Sequence, residues 1–257
     1  MKLLTVDIGN TTIDFGLFSA TKLGGSASGG ENKKLIAKTK ILTAKFSKIP
    51  FGNYDNAIII SVVPCITSKI SRQLKNKPII VNYKNIPIKI KVKKPEQVGA
   101  DRLVNAVAVK EIYGCPSVVI DLGTATTLDF VSEKGEYLGG IIAPGIKISA
   151  EALFEKTAKL PLVSFQTIKQ NLVIGKNTKE AILSGIFWEH IGLIKEVIKK
   201  IKNEKLKMKN LKVILTGGYA KTFAKHFPNF IVDEDLTLKG LEIVFEKLRS
   251  CPENARQ

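Results

Sequence analysis

Histidine is almost absent from this chain, with only His190 and His226 in 257 residues. Two histidines so far apart make neither a His-built metal site nor a zincin helix, so packing or surface roles are expected for both. Cysteine is also scarce: Cys65, Cys115 and Cys251 are odd in number and form no Cys-x-x-Cys pair. That excludes a zinc ribbon and argues against a disulfide framework. No apolar run approaches the roughly 20 residues of a membrane-spanning helix. Asp7 interrupts the start of the chain where a signal peptide would be apolar. A soluble cytoplasmic protein without membrane contact is expected.

Acidic residues are few, 23 against 40 Lys and Arg, and the formal net charge is +17. Such a balance raises the question of a nucleic-acid partner. The densest basic stretch, Lys195 to Lys212, holds eight lysines but no arginine and no aromatic residue. Bidentate base readout and base stacking want those missing types. Ile194, Val197, Ile198 and Ile201 fall at helical spacing, which predicts one buried face and one solvated lysine face. The distribution therefore argues against nucleic acid as the partner, and a nucleic-acid-binding regulator is kept only as an alternative.

Hydrophobic residues make up 44% of the chain, enough for two modest domains. Strands are expected at Leu3 to Ile8 and Thr12 to Phe18, joined by a tight Gly-Asn turn. The run Gly24 to Gly30 reads as an exposed hairpin tip, and strands resume at Leu35 to Leu42 and Ala57 to Val63. Residues 66–75 and Asp101 to Tyr113 read as helices, separated by a short strand at Pro78 to Val81. Gly114 ends the second of these helices. The pattern then restarts. Val6-Asp7-Ile8-Gly9-Asn10-Thr11-Thr12-Ile13-Asp14-Phe15 aligns with Ile120-Asp121-Leu122-Gly123-Thr124-Ala125-Thr126-Thr127-Leu128-Asp129-Phe130, with one inserted residue. This internal duplication predicts two α/β domains on one plan, 1–114 and 115–257, with mixed sheets. The second half is expected to carry a strand at Tyr137 to Ile142 and a helix through about Lys156. A long helix from about Thr178 past Lys200, a strand at Leu211 to Leu215, a short strand at Phe230 to Val232 and a helix at Leu238 to Leu248 complete it.

Asp7-Ile8-Gly9-Asn10-Thr11 places a carboxylate at the end of a buried strand, then a glycine, then side-chain donors. Such a turn can hold phosphate oxygens, with the acid near phosphate-bound Mg²⁺. A single copy would read as an ordinary hairpin. Two copies, led by Asp7 and Asp121, favour a cation-phosphate clamp across a cleft between the two domains. Thr216-Gly217-Gly218, between a strand and a helix, lets a flat nucleoside approach the backbone. In Gly99-Ala100-Asp101-Arg102 the acid stands where a helix begins, as an N-cap or as a base. The planar fork of Arg102 suits a carboxylate, or a surface ion pair.

These segments resemble the type III pantothenate kinases from end to end. The resemblance is carried by the two acidic turns, Ser61-Val62-Val63-Pro64, Val98 to Ala106, Tyr137 to Gly145, Ile174-Gly175-Lys176-Asn177-Thr178, Ser184-Gly185-Ile186 and Thr216-Gly217-Gly218. It implies two duplicated ribonuclease H-like, actin-like ATPase domains around a central nucleotide cleft. It also implies ATP-dependent phosphorylation of the terminal hydroxyl of pantothenate, the first step towards coenzyme A. By the same resemblance Asp7, Ile8, Gly9, Asn10, Thr11, Thr12, Ile13, Asp14 and Thr124 contact the nucleotide, supplied as ATP-Mg. Gly99, Ala100, Asp101, Arg102 and Thr178 contact pantothenate, and Asp101 is the general base. Asp121 holds a monovalent cation, K⁺ or NH₄⁺, and the protein is a homodimer. The family usually carries a tyrosine where this chain has Val92, which bears on pantothenate affinity rather than on the chemistry. Another small-molecule kinase or a phosphohydrolase of the same fold is the alternative that the residues leave open.

Overall fold

The computed structural model of the chain describes residues 1–20, 33–165, 172–202 and 210–250. The expected hairpin tip at 24–30 lies outside them, as do Cys251 and part of the lysine-rich stretch. The described residues fall into two units, one drawn from Met1–Tyr113 and Asp235–Gln257, the other from Gly114–Glu234.

In the first unit, β1 (Lys2–Ile8), β2 (Thr12–Ala20), β3 (Lys33–Leu42), β4 (Asn56–Ser61) and β5 (Ile79–Ile80) form one sheet in the order β3-β2-β1-β4-β5. β1 pairs antiparallel with β2 and parallel with β4. Its central place buries both faces, and Leu3, Leu4, Val6 and Thr5 are all inaccessible to solvent. Leu4, Val6, Ile8, Ile13, Phe15 and Ile59 pack in one cluster with Ile70 of α1 (Pro64–Ser71). The opposite face carries Asp7, Asp14 and Gly16, because alternate residues of a strand share a side.

That second face is covered by the end of the chain. α6 (Leu236–Ser250) packs on β1 and against α2 (Ala100–Ile112). Leu238 of α6 reaches Gly16, where an added Cβ would sit 3.2 Å from its Cδ1. The apolar stripe of α6, including Leu238, Leu241, Val244 and Phe245, is buried there. The sequence reading assigned 115–257 to the second half by chain order; this terminal helix instead packs in the first unit, where its apolar stripe finds a partner in α2.

The second unit repeats the plan. β6 (Ser117–Leu122), β7 (Ala125–Val131), β8 (Tyr137–Pro144), β9 (Lys212–Thr216) and β10 (Ile231–Val232) lie in the order β10-β9-β6-β7-β8. Again the first strand is central, antiparallel to the second and parallel to the fourth. α3 (Ile146–Lys156), α4 (Thr178–Lys200) and α5 (Ala220–Ala224) complete the unit. Side chains of all three join the cluster around Val118, Ile120, Leu122 and Leu128. Ile194 and Ile198 face this core while Lys195, Lys199 and Lys200 are exposed, as the helical spacing predicts.

Both histidines are packing residues. His190 is buried and binds the carbonyl of Ile186 through Nδ1 at 2.8 Å, and His226 meets the Phe187 ring edge-on at 5.0 Å. Burial, and then Lys225 and Lys195, hold the His226 pKa below its ordinary value. No described helix is long and apolar enough to cross a membrane.

Gly240 is where α6 meets α2 most closely. An added Cβ would lie 2.7 Å from both the Val104 carbonyl and Val104 Cγ1. The backbone carbonyl cannot yield, so the helices would have to separate. Gly240→Ala is expected to cost about 1–3 kcal/mol by overpacking. Thermal melting should show the loss, with hydrogen-exchange protection falling first in α2 and α6. An unchanged melt would mean that the two helices part freely.

Candidate active site

Each unit ends its central strand in an acid followed by a short turn. In the first, Gly9 N–H donates to the Thr12 carbonyl at 2.9 Å. Thr43 braces the turn from the side: its N–H donates to the Thr11 carbonyl at 3.0 Å and its hydroxyl to the Gly9 carbonyl at 2.8 Å. Asn10 stands exposed at the tip. Ile8 and Ile13 point into the core, so only their backbone can meet a ligand. Asp7 lies directly opposite Asp14 across the β1–β2 ladder. Asp14 in turn accepts the Thr12 hydroxyl at 3.4 Å and pairs with Lys40 Nζ at 3.2 Å.

Ser61-Val62-Val63-Pro64 serves this turn as a splice. Val62 N–H donates to the Ile8 carbonyl at 3.1 Å. Ser61 Oγ accepts from Val63 N–H at 2.9 Å and from the Thr67 hydroxyl at 2.6 Å, which starts α1 at Pro64.

The segment Gly99 to Arg102 opens α2. Gly99, not Asp101, is the N-cap residue, and Asp101 is the second residue of the helix. The Asp101 carboxylate folds back over Gly99, where a Cβ would collide with its Oδ1. Glycine is therefore needed at 99 to let the acid lie across the helix start. Nε and Nη2 of Arg102 are shielded from solvent. Leu103 to Val109 are buried, so the helix that carries the acid is firmly seated.

In the second unit the turn is one residue shorter. Gly123 N–H donates to the Ala125 carbonyl at 3.1 Å, and Thr124 is exposed at the tip. Aligning the two halves by sequence matches Asp14 with Asp129. The ladder instead sets Thr127 opposite Asp121, and Asp129 falls two residues further along the same face. On its other side Asp121 pairs with Thr216 of β9. Two glycines press on this turn. Gly145, the N-cap of α3, leaves no room for a Cβ beside the Gly123 and Thr124 carbonyls. Gly217 has φ +87° and runs its backbone against the Asp121 carboxylate and Leu122. Tyr219 N–H closes the contact by donating to the Leu122 carbonyl at 3.2 Å.

Thr178 is the first residue of α4. Asn177 caps this helix by accepting Glu180 N–H at 3.0 Å, while Glu180 accepts Lys176 N–H at 2.9 Å. Ser184 holds the preceding segment through the carbonyls of Leu172 and Val173 at 3.0 and 2.7 Å. Thr178 lines a mostly apolar groove of about 670 Å³ between α3 and α4, with Ile148, Leu153, Ile182 and Ile186.

The predicted residues Asp7 to Asp14 thus form one turn, and Gly99 to Arg102 one helix start in the same unit. Thr124 and Asp121 share the turn of the second unit, and Thr178 stands at a helix start of that unit. Thr43, Thr127 and the flanking place of Thr216 were missed. The hairpin register could have disclosed Thr127; nothing local marks Thr43.

Two sheets of one strand order, each with an acid and a glycine near the end of its central strand, define the class: a duplicated α/β protein with mixed sheets. The profile of the type III pantothenate kinase family matches residues 3–200. Proteins named type III pantothenate kinase from Persephonella marina and Dehalococcoides mccartyi are 41% identical over 253 residues and 38% over 255. Those alignments cover 95% of this chain and 98% and 95% of the respective relatives. The chain belongs to the type III pantothenate kinase family. A solved structure from Campylobacter jejuni, described as a Baf family transcriptional activator, shares the fold at TM-score 0.64 and 22% identity, covering 96% of this chain and 100% of its own.

Gly99 yields a direct test of how Asp101 is held. Gly99→Ala should push the carboxylate off the helix start; if Asp101 is the base that the family resemblance implies, kcat should fall by about 10-fold or more, since small misplacements of reacting groups are costly. ATP affinity, measured by calorimetry, should stay within about twofold of wild type, a change far below the tenfold that 1.4 kcal/mol represents. Unchanged turnover would show that the acid's position there is immaterial.

Proposed function

We propose that this protein transfers the γ-phosphoryl group of ATP to the terminal hydroxyl of pantothenate, forming 4'-phosphopantothenate, the first step of coenzyme A synthesis. Family membership over nearly the whole chain carries this reading, and the acid-glycine turns supply the chemistry it needs. The pantothenate hydroxyl oxygen attacks the γ-phosphorus, the bond from phosphorus to the β–γ bridging oxygen breaks, and ADP leaves. The hydroxyl proton passes to Asp101. In a loose transition state that proton leaves late, so holding the hydroxyl in line matters most. The carboxylate folded over Gly99 is suited to that task. Arg102 offers the paired donors that a substrate carboxylate accepts. Gly99, Ala100 and Thr178 complete the pantothenate contacts.

The nucleotide is assigned to Asp7 through Asp14 and to Thr124. Asp7 and Asp14, side by side on one sheet face, fit Mg²⁺ carried in on the phosphates. That ion would neutralise charge on the transferring group. Asp121 fits a different ion. It stands between two hydroxyl residues, Thr127 and Thr216, with one charge and several neutral oxygens. We assign it a monovalent cation, K⁺ or NH₄⁺. ATP titrated in KCl and in NaCl at equal ionic strength should bind more tightly in KCl; equal affinities would remove the assignment.

A homodimer is also proposed. Ile148, which lines the apolar groove, is exposed, and Ile142, Phe154 and Leu162 of the same unit are exposed as well. Exposed apolar surface that is contiguous marks association sites. Sedimentation should give twice the chain mass, and Phe154→Glu should shift it towards one; a wild-type monomer would overturn the proposal.

The base and the fork separate in one experiment. Asp101→Asn should lower phosphopantothenate formation by about 10²–10⁴-fold with ATP binding retained. Arg102→Lys should weaken pantothenate more than ATP, because lysine keeps the charge but not the paired hydrogen bonds. Near wild-type turnover in the first variant, or equal losses for both ligands in the second, would reassign these residues to structural roles.

A further inference from the structure

We propose that Asp129 is a positioning residue: it fixes the Thr127 hydroxyl as an acceptor beside Asp121 and so makes that turn prefer a weakly hydrated monovalent cation. This rests on the assignment of such an ion to Asp121.

Asp129 is 1% exposed. A carboxylate so placed is costly unless hydrogen-bonded. Its Oδ1 accepts the phenol of Tyr137 at 2.7 Å and its Oδ2 accepts the Thr127 hydroxyl at 3.1 Å. Tyr137 is itself fully buried on β8, so its hydroxyl is held away from solvent. A threonine hydroxyl has a single hydrogen. Once that hydrogen is given to Asp129, the oxygen has only lone pairs left to offer.

Thr127 is the direct cross-strand neighbour of Asp121. Such neighbours hold their Cβ atoms about 4.5–5.5 Å apart, close enough for one ion to touch both side chains. Thr216 flanks Asp121 on the other strand and is almost fully buried. The side chains that flank Asp121 therefore offer neutral oxygens, while the second carboxylate, Asp129, stands behind Thr127. Neutral oxygens that replace the hydration shell are what K⁺ coordination uses. Mg²⁺ gives up its water reluctantly and gains most from several carboxylates.

The first unit supplies the contrast. There the place opposite the strand-end acid is held by Asp14, a second carboxylate, balanced by Lys40. One duplicated plan thus carries two donor sets. Where Thr127 stands in one unit, a carboxylate stands in the other, and Asp129, set two residues further along, acts on Thr127 instead of facing the ion directly.

The test measures ATP affinity by calorimetry in KCl and in NaCl at equal ionic strength, for wild type, Thr127→Val, Thr127→Ser, Asp129→Asn and Tyr137→Phe. Wild type should bind about 5-fold or more tightly in KCl, the scale of ordinary coupling between sites. Thr127→Val and Asp129→Asn should bring that ratio to within about twofold of unity, on the lower side of the same scale. Tyr137→Phe should lower it part of the way, and Thr127→Ser should retain it. Melting in both salts accompanies each titration. Should Asp129→Asn fail to fold, Thr127→Val and Tyr137→Phe decide the matter. A wild-type ratio of one removes the ion from Asp121 and this inference with it. A wild-type preference that survives in Thr127→Val and in Asp129→Asn or Tyr137→Phe overturns the positioning role alone. A variant that melts lower in both salts yet keeps the ratio shows a merely structural residue.

Discussion

A carboxylate at the end of a strand that is buried on both sides has to be answered by its neighbours, and much of this structure is arranged around two such groups. β1 and β6 are the central strands of their sheets, and each carries an aspartate one residue before its end. An acid there loses water on several sides and must gain hydrogen bonds or countercharge. The chain responds locally with a glycine two residues on. It responds at a distance with Thr43 bracing one turn, and with Gly145 and Gly217 pressing on the other. Where larger residues would fill the space, these glycines bring backbone close to the turn.

The duplication is strict in topology and loose in chemistry. Both sheets have the same order and the same mixture of parallel and antiparallel pairs. Their turns differ by one residue, and that alters which side chain faces each acid across the ladder. In a strand the face repeats every second residue. Asp129 therefore keeps its side of the sheet while moving away from Asp121, and Thr127 takes the near place. A change of one residue in a turn is enough to turn a two-carboxylate pair into a carboxylate between hydroxyls.

α2 depends on a part of the chain that is remote in sequence. Its N-terminus carries Gly99, Asp101 and Arg102, and its flank is held by α6, more than a hundred residues later. The close approach at Gly240 and the hydrogen bond from the Thr237 hydroxyl to Asn105 Oδ1 at 2.8 Å tie the two helices together. The catalytic assignment to Asp101 thus has a mechanical counterpart. The acid stands at the start of a helix in which Leu103 to Val109 are all buried.

The amino-acid sequence by itself determined the elements, the duplication and the family. Apolar runs of strand length, helical spacing around Leu103 and Ile194, and Gly114 with φ +82° as a stop are local signals, so they survive without a fold. The two turns were legible as motifs for the same reason, since in each an acid, a glycine and hydroxyl residues stand close together in the chain. Only the tertiary structure decided which residues stand beside those motifs. Periodicity gives α6 a buried stripe but not the surface that receives it, and chain order pointed to the wrong unit. Alignment gives the two turns a common ancestry but not a common register, which hydrogen-bond pairing sets. Thr43 and the approach of Gly217 to Asp121 join residues 34 and 96 positions away from their partners. No local pattern encodes such contacts, because packing and strand pairing select them from the many that the chain could make.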